Sequence, residues 1–159
     1  MKKLLSLVLS LVLVCSLAGC GKEQSATYVL TSTQEGVMSM SDTQTLKAKG
    51  DIVYEMAETT VVDISMAEEA AKAQLSEYYT EYFNNFATNA PEGVTVTSNN
   101  ADDVFEVSVT IDLKNADLQE LMKGGYLIGT SEDADKAQAI SFSQTCAGLE
   151  AAGYVLQAE

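Results

Sequence analysis

The sequence predicts an α+β domain: an antiparallel sheet of about five to six strands with helices packed over one face. Strict alternation of apolar and polar residues marks strands around 27–64 and again at 105–113. Between them, apolar residues recur at helical spacing over 71–86. A second helical stretch, closed by Gly153, follows near the C-terminus. The 159 residues show no internal repeat and no composition break, so a single domain is expected after the N-terminal segment.

Each element has its own local reason. Tyr28 and Leu30 alternate with threonines, and Met38 and Met40 alternate with serines beyond a Glu35-Gly36 turn. A third run places Ile52, Tyr54 and Met56 on one face and Val53, Glu55 and Ala57 on the other, after a Lys49-Gly50-Asp51 turn. The lack of proline here suits three hairpin-connected strands. Ser65-Met66-Ala67-Glu68 reads as a capping box, serine at the N-cap and Glu68 reaching back. The helix behind it carries Ala71, Leu75, Tyr78/Tyr79, Tyr82 and Phe86, and Asn89-Ala90-Pro91 ends it. Val94 and Val96 begin a short strand, followed by a turn over 98–103. Phe105, Val107, Val109, Ile111 and Leu113 then face inward while Glu106, Ser108, Thr110 and Asp112 face out. Asn115 is the expected cap of a short helix with Leu118, Leu121 and Met122, stopped by Gly124-Gly125. Residues 131–136 read as an acidic loop. The last helix runs from near Ser143 through Leu149 with Gly153 just past its end, and Tyr154-Val155-Leu156 supplies an edge strand.

Composition excludes several functions. The formal charge is −14, all nine basic residues are lysine, and the chain has no Arg, His or Trp. Without His there is no Ser-His or Cys-His nucleophile pair and no imidazole metal ligand. Without Arg there is no planar fork to grip phosphate. Strong acidity without a basic patch argues against nucleic-acid partners.

The N-terminus addresses location. Lys2 and Lys3 precede an apolar stretch from Leu4 to Val14, too short for a membrane-spanning helix, and it runs into Leu17-Ala18-Gly19-Cys20. This arrangement resembles the lipobox of bacterial lipoproteins. The resemblance implies cleavage between Gly19 and Cys20 and a diacylglyceryl group on the Cys20 sulfur. Residues 1–19 are then a cleaved signal peptide, 20–25 the lipidated cysteine with a short tether, and 26–159 the domain. Two acyl chains anchor stably, because each buried methylene contributes ~0.8 kcal/mol. Losing Lys2 and Lys3 leaves seven lysines against 23 acids, a charge of −16. An anionic leaflet repels such a surface, so lipid on Cys20 is expected to supply the membrane contact. Cys15 leaves with the signal, so Cys146 remains unpaired and is read as a small buried hydrophobe.

The candidate binding surface is the aromatic run Tyr78, Tyr79, Tyr82, Phe83 and Phe86, denser than one helical stripe requires. Asp102-Asp103, and Glu132-Asp133 with Asp135, contain oxygen ligands but lack an EF-hand pattern. Glu106 and Asp112, with Glu55 and Glu58 on another strand, are the outward carboxylates that could contain a pair for glycoside cleavage, though solvated sheet faces often carry such charges. Met38, Met40, Met56, Met66 and Met122 are read as packing residues rather than thioether ligands. No catalytic residue, cofactor or metal is assigned.

In the order of its motifs the chain resembles the YehR-like family of small bacterial lipoproteins. The matching pieces are Leu17-Ala18-Gly19-Cys20, Lys49-Gly50-Asp51 with Val53, Thr59-Thr60, Val109-Thr110-Ile111-Asp112-Leu113, Asp117-Leu118 and Ala151-Ala152-Gly153-Tyr154. The resemblance implies an α+β lipoprotein domain in the cell envelope and transfers no active site. The expected function is a lipid-anchored, extracytoplasmic module at the cell membrane that binds an envelope protein or small ligand. The alternatives are an envelope enzyme using carboxylates on cell-wall material, or a structural spacer.

Overall fold

The computed structural model describes residues 10–11, 21–129 and 139–158. Six antiparallel strands form one open sheet in the order β5-β6-β4-β3-β2-β8. They are β2 (Glu23–Gln34), β3 (Met38–Lys49), β4 (Ile52–Asp63), β5 (Val94–Ala101), β6 (Val104–Asp112) and β8 (Val155–Leu156). The helices are α1 (Glu69–Thr88), α2 (Leu118–Lys123) and α3 (Phe142–Ala151). Two-residue strands β1 (Ser10–Leu11) and β7 (Ile128–Gly129) pair in parallel as a separate ladder. The predicted α+β class, with a six-stranded antiparallel sheet, is the class observed. The acidic loop at 131–136 and Cys20 lie outside the described residues.

The first three strands form a meander of 12-residue hairpin arms, turned at Gly36 and Gly50. Gly50 sits at φ +61°, a left-handed conformation that a side chain would disfavour. From β4 the chain crosses the sheet as α1, returns on the edge strand β5, and β6 inserts between β5 and β4. The helix pair α2 and α3 then carries it to the opposite edge, where β8 pairs with Tyr28 and Val29 of β2.

One face of the sheet is buried. Its cross-strand rows run Leu46–Met56–Ile111, Tyr28–Gln44–Glu58–Val109, Leu30–Asp42–Thr60–Val107 and Met40–Val62–Phe105. Tyr79 and Phe83 of α1, Leu121 of α2 and Leu149 of α3 are buried in the core that covers this face. Burying each such side chain contributes ~1.5–3 kcal/mol. The other face carries hydroxyls: Thr43, Thr59, Ser108 and Thr97 stand directly opposite one another across four strands. Thr59 and Ser108 hydroxyls are 3.0 Å apart, as are Thr27 and Thr45 at 3.1 Å one row away.

Local differences from the expectations have identifiable causes. The pairing of β3 with β4 jumps from Lys47↔Glu55 to Ala48↔Val53, so Tyr54 is an extra residue, a β-bulge. The bulge changes the inward parity, which is why Val53 and Met56 are both buried while Ile52 is exposed. Tyr54 instead lies on the outside beneath Lys114, whose Nζ is 4.2 Å from the ring centre. The capping box does not form. Ser65 lies in a turn where its N–H donates to Asp63 Oδ1 at 2.8 Å, and α1 starts only at Glu69, with Glu68 as an N-cap whose side chain makes no capping bond. Burial of Ile64 and Ala67, linked by a 2.9 Å backbone hydrogen bond, holds that segment against the core. Strand β5 extends through Ala101, so the expected long turn shrinks to Asp102 and Asp103. The cap of α2 is Asp117, which accepts from the N–H groups of Gln119 and Glu120 at 2.7 and 3.2 Å, while Asn115 donates to Asp112. Strand β2 begins at Glu23, so the tether read at 21–25 contributes only Gly21 and Lys22 outside the sheet.

Candidate functional site

Helix α1 distributes the aromatic run over its circumference. Tyr79 and Phe83 are 2% and 1% exposed, Tyr82 and Phe86 are half-buried, and Tyr78 is 51% exposed. Tyr78, Tyr82 and Phe86 stack at i, i+4 intervals, with ring centres 6.0 and 6.4 Å apart and nearly parallel planes. Phe86 meets the Tyr126 ring at 4.4 Å, and the Tyr126 hydroxyl donates to the Phe86 carbonyl at 2.8 Å. Tyr79 packs 5.7 Å from Phe105 and its hydroxyl donates to Met38 Sδ. Four of the five rings are thus covered wholly or in part, and Tyr78 is the exposed end of the stack.

Beneath this helix the core contains a polar cluster. Asp42 and Glu58 are 5% and 6% exposed, and Gln44 and Thr60 between them are 0% and 2% exposed. Gln44 stands opposite Glu58, and Asp42 opposite Thr60, across the β3–β4 ladder. Gln44 Nε2 donates to Asp42 Oδ2 at 3.4 Å, and Thr60 Oγ1 lies 3.5 Å from Asp42 Oδ1 and 3.4 Å from Glu58 Oε1. The Tyr154 hydroxyl donates to Asp42 Oδ2 from the segment after α3. That segment is aimed by a Schellman end: the Gly153 N–H bonds the Glu150 carbonyl and the Tyr154 N–H the Leu149 carbonyl, both at 3.0 Å. Among the described residues Gln44 Oε1 is buried without a partner.

Burial dominates the electrostatics. It pushes the Glu58 carboxyl up to about 8, with the neighbouring Asp42 charge acting in the same direction. Burial also raises Asp42, opposed by the donors from Tyr154, Gln44 and Thr60. Tyr154 is raised by burial and by its bond to Asp42. Beside Glu58 a cavity of about 10 Å3, walled by Met56, Phe86, Val109, Ile111 and Tyr126, has room for a single water at most. It is no ligand pocket. A shallower groove of about 190 Å3 lies at the end of the sheet near Gly50, between Tyr54, Lys114, Leu118 and Ile140.

The other sequence candidates are dispersed. Glu55 pairs with Lys47 at 2.7 Å, Asp112 accepts from Lys114 N–H and Asn115, and Glu106 stands opposite Val61. They lie on the open hydroxyl-rich face. Glu58, read as outward, points inward, because the strand alternates from Met56 through Glu58 and Thr60 to Val62. No outward carboxylate set including Glu58 exists. Asp103 is engaged by Lys72 at 2.8 Å, and Glu132, Asp133 and Asp135 lie outside the described residues. Among the described residues no group of three acidic, His or Cys side chains is placed to hold a metal. Cys146 on α3 is half-buried, and burial raises its thiol, so it stays protonated.

Asp42, Gln44, Thr60 and Tyr154 were not singled out from sequence. Strand β3 has polar residues on both faces, so alternation alone is silent there. Counting back by twos from the buried Leu46 and Ala48 does place Gln44 and Asp42 inside.

The architecture is that of a single-sheet α+β domain with a buried acid cluster. No family profile and no curated protein matches the chain. A protein from Streptococcus pneumoniae TIGR4, solved by NMR, shares the fold with a TM-score of 0.55 and 16% identity over 99% of this chain and 98% of that one. The NMR structure of the E. coli YehR protein is similar with a TM-score of 0.50 and 25% identity, covering 86% of this chain and 91% of YehR. The chain therefore has a YehR-like fold.

Proposed function

We propose that this protein is a lipid-anchored lipoprotein of the cell envelope whose domain acts as a non-catalytic binding or interaction module. The observation behind it is the lipobox-like Leu17-Ala18-Gly19-Cys20 placed two residues ahead of the first strand of the sheet. Cleavage before Cys20 removes only β1 from the described elements, and all six strands of the main sheet lie beyond it. No helix among the described residues is long and apolar enough to cross a membrane. The sheet end at Gly21 gathers Lys22, Lys47, Lys49 and Lys114 among Glu23, Asp51, Glu55 and Asp112, a charge-balanced base in an otherwise acidic protein. A non-catalytic role is supported by the arrangement of the acids: the converging pair, Asp42 and Glu58, is sealed in the core, away from any polymer substrate. Exposed Tyr78, backed by the stack to Phe86, is the best-supported candidate anchor for a partner.

The decisive experiment is metabolic labelling with an alkyne fatty acid, combined with detergent phase partitioning, on the full chain and on Cys20→Ser. The wild type is expected to carry label and enter the detergent phase, and the variant to lose both. An unlabelled wild type that partitions into the aqueous phase would overturn the anchoring.

A further inference from the structure

We infer that Asp42 and Glu58 form a one-proton carboxyl pair: Asp42 stays ionised, Glu58 holds the proton, and losing that proton loosens the C-terminal segment around Tyr154. The inference rests on hydrogen-bond accounting and is independent of membrane anchoring. Asp42 meets three donors, from Tyr154, Gln44 and Thr60. Glu58 shares its polar neighbours, the Gln44 side chain and Thr60 Oγ1, with Asp42 and has no counterpart of Tyr154 among the described residues, and the Thr60 hydroxyl carries a single proton. If Thr60 gives its proton to Asp42, Glu58 faces a bare oxygen unless it carries a proton of its own. A protonated Glu58 has Thr60 Oγ1 at 3.4 Å as an acceptor, and Gln44, opposite it across the ladder, holds an Oε1 that is buried without a partner among the described residues. One proton thus removes the second buried charge and supplies a donor beside these acceptors.

A metal ion fits this place poorly. Asp42 Oδ2 is already faced by an O–H and an N–H, and the void beside Glu58 is walled by apolar and aromatic side chains. The ionisable groups packed around the pair are few. Strand β2 contributes Tyr28, α1 contributes Tyr79 and Tyr82, and the loop after α2 contributes Tyr126. Helix α3 contributes Cys146 and Glu150, both engaged with Tyr28, and the last turn contributes Tyr154. None is a cation, so nothing nearby among the described residues neutralises a second carboxylate.

When the proton leaves, the weakest wall yields first. Asp42 and Glu58 sit in 12-residue strands paired on both sides. Tyr154, by contrast, belongs to a segment fixed to the sheet edge through two register pairs, Tyr28↔Leu156 and Val29↔Val155, and the 2.8 Å bond from the Gln157 N–H to the Thr27 carbonyl. Water reaches the pair most readily by displacing that segment.

The test compares wild type, Glu58→Gln and the exposed-site control Glu77→Gln. Infrared spectra of the wild type should show a protonated carboxyl C=O band at pH 6.5 that is absent from E58Q and disappears by pH 9.5. The melting temperature of E58Q should equal that of the wild type near pH 5 and exceed it increasingly towards pH 9, with E77Q following the wild type. At pH 9, amide exchange at 154–157 should be at least severalfold faster in the wild type than in E58Q. Absence of the band at pH 6.5, parallel melting curves for E58Q and wild type, or stabilisation of the wild type by millimolar Na+, Mg2+ or Ca2+ would each overturn the inference. Unchanged exchange at 154–157 would overturn the loosening. The infrared measurement on the wild type decides the matter even if E58Q does not fold.

Discussion

Asp51 caps a helix whose N-cap residue lies 90 residues after it: its Oδ2 accepts from the Ser141 hydroxyl at 2.6 Å and its Oδ1 from the Ser143 N–H at 2.8 Å. The β3–β4 turn thus does the work of an N-cap for α3, alongside Ser141, whose oxygen accepts from the Gln144 N–H. Backbone bonds from Val53 N–H to the Ile140 carbonyl and from Phe142 N–H to the Asp51 carbonyl, both 2.9 Å, complete the joint. Asp51→Ala is expected to cost ~1–2 kcal/mol in urea denaturation, the range for losing a cap. The Ser141 hydroxyl and then the Ser143 N–H hold the Asp51 carboxyl below its ordinary range. A lowered carboxyl stabilises the fold above its unfolded-state value and loses that contribution as pH falls through the folded one. D51A should therefore show a smaller loss of stability than the wild type on acidification below about pH 4.

The Tyr154 hydroxyl is the donor that reaches Asp42 from outside the sheet. Tyr154→Phe keeps the ring and removes the O–H, leaving a buried carboxylate one partner short. A loss of ~1–3 kcal/mol is expected, measured by equilibrium unfolding at pH 7. A change below ~0.5 kcal/mol would show that the bond contributes nothing net.

The five aromatics of α1 separate by burial. Phe83→Ala opens the core and should cost ~3–5 kcal/mol. Tyr78→Ala, at a site 51% exposed, should stay within ~0.5 kcal/mol in the same assay. A partner identified by pull-down should then lose affinity for Tyr78→Ala without any loss of fold.

The cap of α2 distinguishes two adjacent candidates. Asp117→Ala should lower stability by ~1 kcal/mol, with Asp117→Asn retaining most of it. Asn115→Ala, which removes an exposed bond to Asp112, should remain within ~0.5 kcal/mol. The reverse order would return the cap to Asn115.

Local chemistry announced the elements themselves. Glycine turns at 36 and 50, the alternation of β6 and the Gly153 helix end each depend on neighbours in sequence, and each stands where expected. What escaped depends on partners far along the chain. The bulge at Tyr54 is visible only against β3, and a one-residue slip moves every later assignment to the other face. Glu58 escapes for a different reason, since it keeps step with the inward Met56. A carboxylate is normally placed outside on energetic grounds, and the donors that make Asp42 tolerable inside include Tyr154, 112 residues away. The aromatic run was legible as a feature, but which ring faces solvent depends on the rotation of α1 against Phe105 and Tyr126.

Gly21 lies against the β3–β4 turn so closely that a Cβ built on it would fall 2.1 Å from the Gly50 Cα. The adjoining Lys22 carbonyl accepts the Gly50 N–H at 3.0 Å, fixing that approach. Under the proposed anchoring, Gly21 is the residue next to the lipidated cysteine, a position where some bacterial lipoproteins carry an aspartate that keeps them in the inner membrane. Here that position is already committed to the close contact with Gly50. An aspartate there would have to push the β3–β4 turn away before its own side chain could be accommodated.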